Sequence, residues 1–401
     1  MTTPPIDRPA LPLPENGTGE PLLEVRNLTK WFPVNSSGVI RRTIGQVQAV
    51  DGVSFTVPKG GALGLVGESG CGKSTTGRVI TRLYDPTAGE MFFEGQDMAK
   101  LSKKQMLPLR REVQMIFQDP YSSLNPRHTV GTIVGVPLRV HKVVPDNKVL
   151  SRVQELLEVV GLNPEHYNRY PNEFSGGQRQ RIGIARALAL QPKLLVADEP
   201  VSALDVSIQA QVVNLLQDVQ REFGIAFLFI AHDLSIVRHF CPEVAVMYLG
   251  KIVEIADRES LYHRAMHPYT QALLSAVPDV KQAAIGGRRE RIRLTGDVPS
   301  PVDPPSGCRF RTRCQLAQEI CARHEPPLMQ IGPRQKVACH FAGEIGHHPA
   351  QPVTAPLYPE EPGASASAQT QESADRIREV SSDPGWGPRW LDLGSGSVVE
   401  R

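Results

Sequence analysis

Residues 62–74, ALGLVGESGCGKS, carry the pattern from which the fold can be predicted. Residues 62–66 form a short apolar run bounded by glycines, which is typical of a strand buried in a parallel sheet. Residues 67–74 match the phosphate-loop motif G-x-x-x-x-G-K-[S/T], and apolar residues at helical spacing follow. Because the motif stands between a predicted strand and a predicted helix, it indicates a loop that binds phosphate, rather than a glycine-rich turn.

Each side chain of this loop has an expected role. Lys73 would neutralise the β- and γ-phosphates of a nucleotide, and the Ser74 hydroxyl would be a Mg²⁺ ligand. Cys71 would contribute its backbone N–H and no redox chemistry. The predicted nucleotide contacts in this segment are Gly67, Glu68, Ser69, Gly70, Cys71, Gly72, Lys73, Ser74 and Thr75.

Two further segments favour nucleotide chemistry. An apolar strand at residues 193–198 ends in Asp198, a candidate for the Mg²⁺ shell, and is followed by Glu199, a candidate general base. Taken alone, this acidic pair could simply end a strand. Ser175 caps a helix whose first residues are Gly176, Gly177 and Gln178. Glycines cost about 1 kcal/mol each in a helix, so this start indicates a second anion site, although a well-capped helix is the alternative.

The order and spacing of these motifs resemble the ABC-type ATPases. In that family, Gln118 would be the coupling glutamine and a Mg²⁺ ligand, Asp205 would lie in the D-loop, and His232 would be the switch histidine. Phe32 would stack on adenine, with Trp31 as the competitor. The resemblance therefore implies the catalytic residues Glu199, His232 and Gln118.

Longer matches narrow the resemblance to the dipeptide/oligopeptide (peptide/nickel) permease ATPases of F type. They are PYSSLNP at 120–126, FSGGQRQR at 174–181, EPVSALDVS at 199–207 and HPYTQALL at 267–274. Phe174 replaces the leucine of the wider family. The resemblance covers residues 22–342.

Alternating strands and helices predict an α/β fold. Residues 101–170 are predicted to be mostly helical, and Gly250-Lys251 is predicted to form a tight hairpin turn between strands at 244–249 and 252–255. The resemblance makes this a P-loop NTPase ABC cassette with a RecA-like core, an antiparallel β-subdomain, a helical subdomain and a small cysteine-containing C-terminal extension. The expected boundaries are a disordered tail at 1–21, the cassette at 22–265 with its helical subdomain at about 101–185, the extension at 266–342 and a disordered acidic tail at 343–401.

Charge and hydropathy exclude several classes of protein. The 401 residues include 44 Lys and Arg against 42 Asp and Glu, which argues against a dedicated nucleic-acid binder. The near-neutral total combines a body of +7 with a tail of −5 at residues 343–401. No apolar run approaches the roughly 20 residues of a membrane span. The first residues lack the features of a secretory signal, so we expect a cytosolic chain with reduced cysteines.

The resemblance implies several partners. Two cassettes would meet head to tail, with each ATP between one phosphate loop and the partner's 175–178 segment. The second ATPase would be a D-type subunit, with a homodimer as the alternative. Two transmembrane permease subunits and an extracytoplasmic solute-binding protein would complete an importer, with this chain peripheral on the cytoplasmic face of the membrane.

Four cysteines form the second candidate site: Cys308, Cys314, Cys321 and Cys339. Their spacing fits neither a standard zinc site nor a ferredoxin run. Four thiols in a loop-rich cytosolic segment still favour a metal over disulfides. Similar permease extensions can hold a [4Fe–4S] cluster, while zinc and unligated thiols are the alternatives. Such a cluster would be structural, because ATP hydrolysis needs no redox step.

Three functions remain open from the sequence. The first is an ATP-hydrolysing subunit of a di-/oligopeptide importer, with nickel or another small solute as the alternative cargo. The second is a soluble ABC ATPase, which is disfavoured because the chain has one cassette and no heptads. The third is a redox-sensing module in which ATP is regulatory.

Overall fold

The computed structural model describes residues 20–35, 43–119, 123–277 and 291–342. The predicted tails, 1–21 and 343–401, lie almost entirely outside the described residues. The strands are β1 Pro21–Asn35, β2 Thr43–Pro58, β3 Ala62–Val66, β4 Ala88–Phe93, β5 Gln96–Asp97, β6 Val113–Ile116, β7 Leu194–Asp198, β8 Ala226–Ala231, β9 Glu243–Tyr248, β10 Lys251–Asp257, β11 Met329–Gly332 and β12 Gln335–Val337.

The described α-helices alternate with the strands of the core. They are α1 Lys73–Ile80, α2 Met106–Glu112, α3 Val130–Val140, α4 Val149–Val159, α5 Gly176–Leu188, α6 Val206–Phe223, α7 Leu234–Phe240, α8 Arg258–Arg264, α9 Pro268–Ala276 and α10 Glu319–Arg323. Among the described residues, no helix is both long and apolar enough to cross a membrane.

An eight-stranded sheet forms the centre of the fold. Its strand order is β11-β12-β10-β9-β3-β8-β7-β6, and the five strands from β9 to β6 are parallel. Strands β3, β7 and β8 are buried along their whole length, as expected for a parallel sheet covered on both faces. The carboxyl ends of β3 and β7 lie near one another because both strands pair in parallel with β8.

Alternate side chains of β3 enter two different cores. Ala62 and Val66 pack in the core that contains most of the helices, whereas Leu63 and Leu65 pack against the smaller sheet. That smaller sheet is antiparallel in its described pairings, with the order β2-β1-β4-β5. The predicted α/β cassette with an antiparallel β-subdomain is therefore confirmed.

The structure corrects two local predictions. Residues 101–170 were expected to be mostly helical, yet Val113–Ile116 forms strand β6, which pairs in parallel with β7. This short apolar segment gains its strand partner only from residues 194–197, so local periodicity does not reveal it. The hairpin turn was expected at Gly250-Lys251. It lies instead at Leu249-Gly250, both with positive φ (41° and 81°), because Lys251 already pairs with Tyr248.

The C-terminal extension is joined to the cassette more closely than the predicted boundary at 266 suggests. Strand β12 pairs with β10 through Glu254 and Val337, and β11 continues the sheet beyond it. The Glu254 carboxylate is fully buried and accepts hydrogen bonds from the backbone N–H groups of Met266 and His267 and from Gln335 Nε2. The extension therefore shares both a sheet and a buried polar network with the core.

Candidate nucleotide-binding and hydrolysis site

The phosphate loop connects β3 to α1, and its glycines are required by close backbone approaches. A Cβ on Gly67 would lie 2.1 Å from the Met247 carbonyl oxygen, and one on Gly72 would lie 2.0 Å from that of Ala49. Both glycines also have positive φ, at 155° and 111°. The loop thus curls tightly against the neighbouring strands, which is the conformation that the motif predicts.

Lys73 is buried at the first position of α1, with 3% of its surface exposed. Its ammonium group donates to the carbonyl oxygens of Gly67 and Glu68, at 2.8 and 2.9 Å. These contacts fold the lysine side chain back over the loop. A buried cation at the start of a helix, where the helix dipole is positive, is suited to bind an anionic phosphate chain.

A cavity of about 320 Å³ lies over this loop. Phe32 forms one wall, while Trp31 is turned to donate from Nε1 to Asp51 Oδ1 at 3.2 Å. Phe32 also contacts Tyr84 edge to face, with ring centroids 5.4 Å apart. The cavity is lined by Phe32, Val47, Gln48, Ala49, Ser69, Gly70, Gly72, Lys73, Ser74, Thr75, Gln118, Glu199, Leu249, Gly250 and Pro301.

Ser74 and Asp198 meet at the adjoining ends of α1 and β7. The Ser74 hydroxyl donates to Asp198 Oδ1 at 2.7 Å. Burial raises the pKa of Asp198, opposed by this hydrogen bond and by the nearby cations Arg78 and Lys73. Asp198 Oδ2 is buried and is without a hydrogen-bond partner among the described residues. A hydroxyl and a carboxylate oxygen side by side, one oxygen unsatisfied, fit the oxygen ligation that Mg²⁺ prefers.

Two of the three predicted catalytic side chains converge on the third, the Glu199 carboxylate. Gln118 Nε2 donates to Glu199 Oε2 at 2.9 Å, and His232 Nδ1 lies 3.5 Å from the same oxygen. Glu199 has a positive φ of 45°, and its backbone N–H donates to the Ile230 carbonyl at 2.9 Å. A left-handed backbone at a non-glycine residue is strained and is concentrated at functional sites. The bend after β7 thus aims the carboxylate into the cavity, where it can contact a water molecule.

The remaining predicted contacts do not line this cavity. Ser175 caps α5 and forms a reciprocal capping box with Gln178, whose amide oxygen accepts from the Ser175 N–H at 3.0 Å. A Cβ on Gly177 would lie 2.5 Å from Ile208 Cγ2. Packing against α6 therefore requires this glycine, a reason that sequence reasoning missed. Gly176 follows the Ser175 cap, and Asp205 precedes α6.

Sequence reasoning also missed part of the cavity wall. Pro301 comes from the C-terminal extension, and its carbonyl accepts from the Gln48 N–H at 2.9 Å. Leu249 and Gly250 come from the hairpin turn, and the Gly250 N–H donates to the Cys71 carbonyl at 2.8 Å. No local motif marks these residues, because they reach the site only through long-range packing.

The four C-terminal cysteines line one small cavity, of about 10 Å³, together with Phe310 and His340 among others. All four are free thiols. Burial raises the pKa of Cys308 to about 11, and the charges of Cys321 and Cys339 act in the same direction. Among the described residues, no three His, Cys, Asp or Glu side chains close around a single metal ion. The cysteines thus line a common space, and no metal-binding group is found in the part of the chain that the structure describes.

Two family models match the chain. The model described as ABC transporter matches residues 50–202, and the one described as oligopeptide/dipeptide transporter, C-terminal region, matches residues 253–321. The second match begins within β10, before the predicted boundary at 266, in agreement with the shared sheet.

Curated relatives match over nearly their whole length. The oligopeptide transport ATP-binding protein AppF of Bacillus subtilis is 53% identical over 323 residues, which cover 80% of this chain and 98% of AppF. The probable peptide ABC transporter ATP-binding protein y4tS of Sinorhizobium fredii is 51% identical, over 80% of this chain and 89% of its own.

Solved structures agree with the fold. The ATP-binding cassette MJ0796, solved as a dimer bound to ADP and Pi, superposes with a TM-score of 0.52 at 28% identity, over 59% of this chain and 98% of its own. CbiO1 of Clostridium perfringens gives 0.51 at 26% identity, over 60% and 90%. The chain therefore belongs to the ATP-hydrolysing subunits of ABC transporters, in the family of oligopeptide and dipeptide transport ATP-binding proteins.

Proposed function

We propose that this chain is the ATP-hydrolysing subunit of an importer that carries di-/oligopeptides across the cytoplasmic membrane. The observation that supports this most strongly is the similarity to AppF along 98% of its length, together with the match to the C-terminal region of oligopeptide/dipeptide transporters. The convergence of Gln118 and His232 on Glu199 supports a hydrolytically competent site.

The residues of the site have three roles in the proposed reaction: they bind the nucleotide, hold Mg²⁺ and activate the attacking water. Lys73 and the loop N–H groups bind the β- and γ-phosphates, and Phe32 stacks on the base. Mg²⁺, held by Ser74, Asp198 and Gln118, would neutralise charge on the phosphates. Glu199 accepts a proton from the attacking water, while His232 contacts the γ-phosphate and Gln118 orients the Glu199 carboxylate.

The rest of the site would come from a second ATPase subunit. Since residues 175–178 and Asp205 lie outside this chain's own cavity, we propose that they face the nucleotide of a head-to-tail partner, a D-type subunit. ATP would then join the two subunits, and its hydrolysis would release them. Two transmembrane permease subunits, contacted through the helical subdomain, would place the chain peripherally on the cytoplasmic face of the membrane. An extracytoplasmic binding protein would deliver the cargo.

The cargo can be tested by uptake in cells that lack the chain. We expect restoring the wild-type chain to restore ATP-dependent accumulation of a labelled tripeptide, and the Glu199→Gln variant to fail. Uptake of ⁶³Ni²⁺ without peptide uptake would favour the nickel alternative instead. Normal uptake of both solutes without the chain would support a soluble ABC ATPase.

We propose that the cysteine cavity holds a [4Fe–4S] cluster. The proposal rests on Cys308, Cys314, Cys321 and Cys339 lining one space, and on the resemblance to permease extensions that can hold such a cluster. Thiolates bound to the cluster would be deprotonated despite their burial. The cluster would serve as a structural staple for this loop-rich segment.

Iron and acid-labile sulfide in anaerobically purified protein test this assignment. We expect about four of each per chain, and loss of both in Cys321→Ser. Stoichiometric zinc, or a protein free of metal, would contradict the cluster and would leave the ATPase assignment intact.

A further inference from the structure

Two buried arginines of the C-terminal extension contact the phosphate loop or the hairpin turn that adjoins it. Arg313 is 8% exposed, and its two terminal nitrogens bind the two Glu68 carboxylate oxygens at 2.7 and 3.2 Å. Such a forked pair fixes the direction of both planar groups. Glu68 directly follows Gly67, so the contact holds the first turn of the loop.

Aromatic residues of the extension and the sheet also hold Glu68 and Arg313 in place. The Glu68 N–H donates to the Tyr269 hydroxyl at 2.8 Å, so both the backbone and the side chain of Glu68 are held. Tyr269, Tyr248 and Phe310 pack with ring centroids 4.7 to 5.4 Å apart. The Arg313 guanidinium lies 5.9 Å from the Tyr248 ring centroid. This packing limits the movement of the Arg313 side chain.

Arg309 contacts the hairpin turn that adjoins the loop. One terminal nitrogen donates to the Leu249 carbonyl at 2.6 Å, and the other binds Gln48 Oε1 at 2.6 Å and the Asp51 carboxylate. The adjoining Gly250 N–H donates to the Cys71 carbonyl inside the loop. Gln48, Leu249 and Gly250 all line the nucleotide cavity, and Arg309 donates hydrogen bonds to the first two.

We infer that Arg313 and Arg309 are positioning residues for nucleotide binding: Arg313 acts through Glu68, and Arg309 acts through the Leu249-Gly250 turn. The extension therefore sets the shape of the phosphate loop as well as closing the sheet. This inference rests on the proposed nucleotide site at residues 67–74 and does not depend on which solute is carried.

A double-mutant cycle between Arg313 and Glu68 tests the inference. The dissociation constant of a fluorescent ATP analogue is measured on the full chain with Arg313→Gln, Glu68→Gln and the double variant. Each single change should weaken binding about tenfold, because the forked contact that fixes Glu68 is lost. The double variant should be no weaker than either single one, because one interaction is lost in all three.

Three further variants make the outcome decisive. Arg313→Lys keeps the charge without the fork, so its affinity should lie between wild type and Arg313→Gln. Arg323→Gln removes an exposed arginine of the same extension, paired with Glu319, and should bind like wild type. Lys73→Ala should abolish binding if the nucleotide lies on this loop.

Wild-type affinity in Glu68→Gln, while Lys73→Ala loses binding, would overturn the positioning role alone. Additive losses in the double variant would also overturn it, since the residues would then act separately. Normal binding in Lys73→Ala would overturn the proposed nucleotide site and this inference together. If Arg313→Gln lowers the melting temperature so far that it does not fold, Glu68→Gln and Arg313→Lys still decide the question.

Discussion

Replacing Glu199 by glutamine should stop ATP turnover while leaving ATP binding in place. Glu199 Oε2 lies 2.9 Å from Gln118 Nε2 and 3.5 Å from His232 Nδ1, and 12% of its side chain is exposed. Glutamine has nearly the same shape but cannot accept a proton from water. A positioned general base contributes about 10²–10⁴-fold to a rate, so turnover should fall at least about 100-fold.

The assay is phosphate release at saturating Mg-ATP, measured on the assembled ATPase pair. ATP binding is measured separately, and size-exclusion chromatography with ATP should show more dimer than in wild type, because the γ-phosphate is retained. Glu112→Gln is a matched control: its carboxylate lies 3.7 Å from Lys193 and does not line the cavity. Its turnover should equal wild type.

Phosphate release by Glu199→Gln within a few-fold of the wild-type rate would refute the assignment of Glu199 as the base. Equal loss in Glu112→Gln would refute the specificity of the effect. In either case the contacts of Gln118 and His232 with Glu199 would need an explanation other than catalysis.

Three further predictions concern packing, base stacking and pH. Gly177→Ala should lower stability by about 1–3 kcal/mol in thermal unfolding, since its Cβ would lie 2.5 Å from Ile208 Cγ2; Gly183→Ala on the same helix, with open space around it, should not. Phe32→Ala should weaken ATP binding about tenfold, the loss of roughly 1–3 kcal/mol of base stacking, whereas Trp31→Ala, outside the cavity, should bind ATP like wild type. Burial lowers the pKa of His267 to about 3. The unfolded chain therefore binds a proton below pH 6.5 that the folded chain does not. The free energy of unfolding consequently decreases as the pH is lowered. His267→Asn keeps an acceptor for the Tyr269 N–H and should lose about 2 kcal/mol less than wild type between pH 7 and pH 5 in urea unfolding; equal losses would contradict this.

The loop, the two acids and the capped helix could be predicted because each carries its own local signature. Residues 67–74 need glycine at fixed positions, and the Asp198 strand is apolar throughout before it ends in acids. Ser175 and Gln178 form the capping box that their spacing predicts. For these elements, short-range chemistry determines the structure.

Other features depend on contacts between distant residues. Strand β6 exists because Val113–Ile116 pairs with β7, and the hairpin turn shifts by one residue because Lys251 pairs with Tyr248. Arg313 and Arg309 meet Glu68 and Asp51 across more than 240 residues of sequence. Nothing in the local sequence of the extension indicates these pairs, and the resemblance to a family does not assign them.

Peptide-stimulated ATP hydrolysis in a reconstituted complex is the decisive test of whether this chain powers a peptide importer. The chain is assembled in lipid vesicles with its ATPase partner, the permease subunits and the binding protein, and phosphate release is followed with and without a saturating tripeptide. We expect stimulation by peptide, none by Ni²⁺, and no turnover with Glu199→Gln. Hydrolysis that proceeds equally with and without peptide, and no accumulation of peptide in the vesicles, would contradict it.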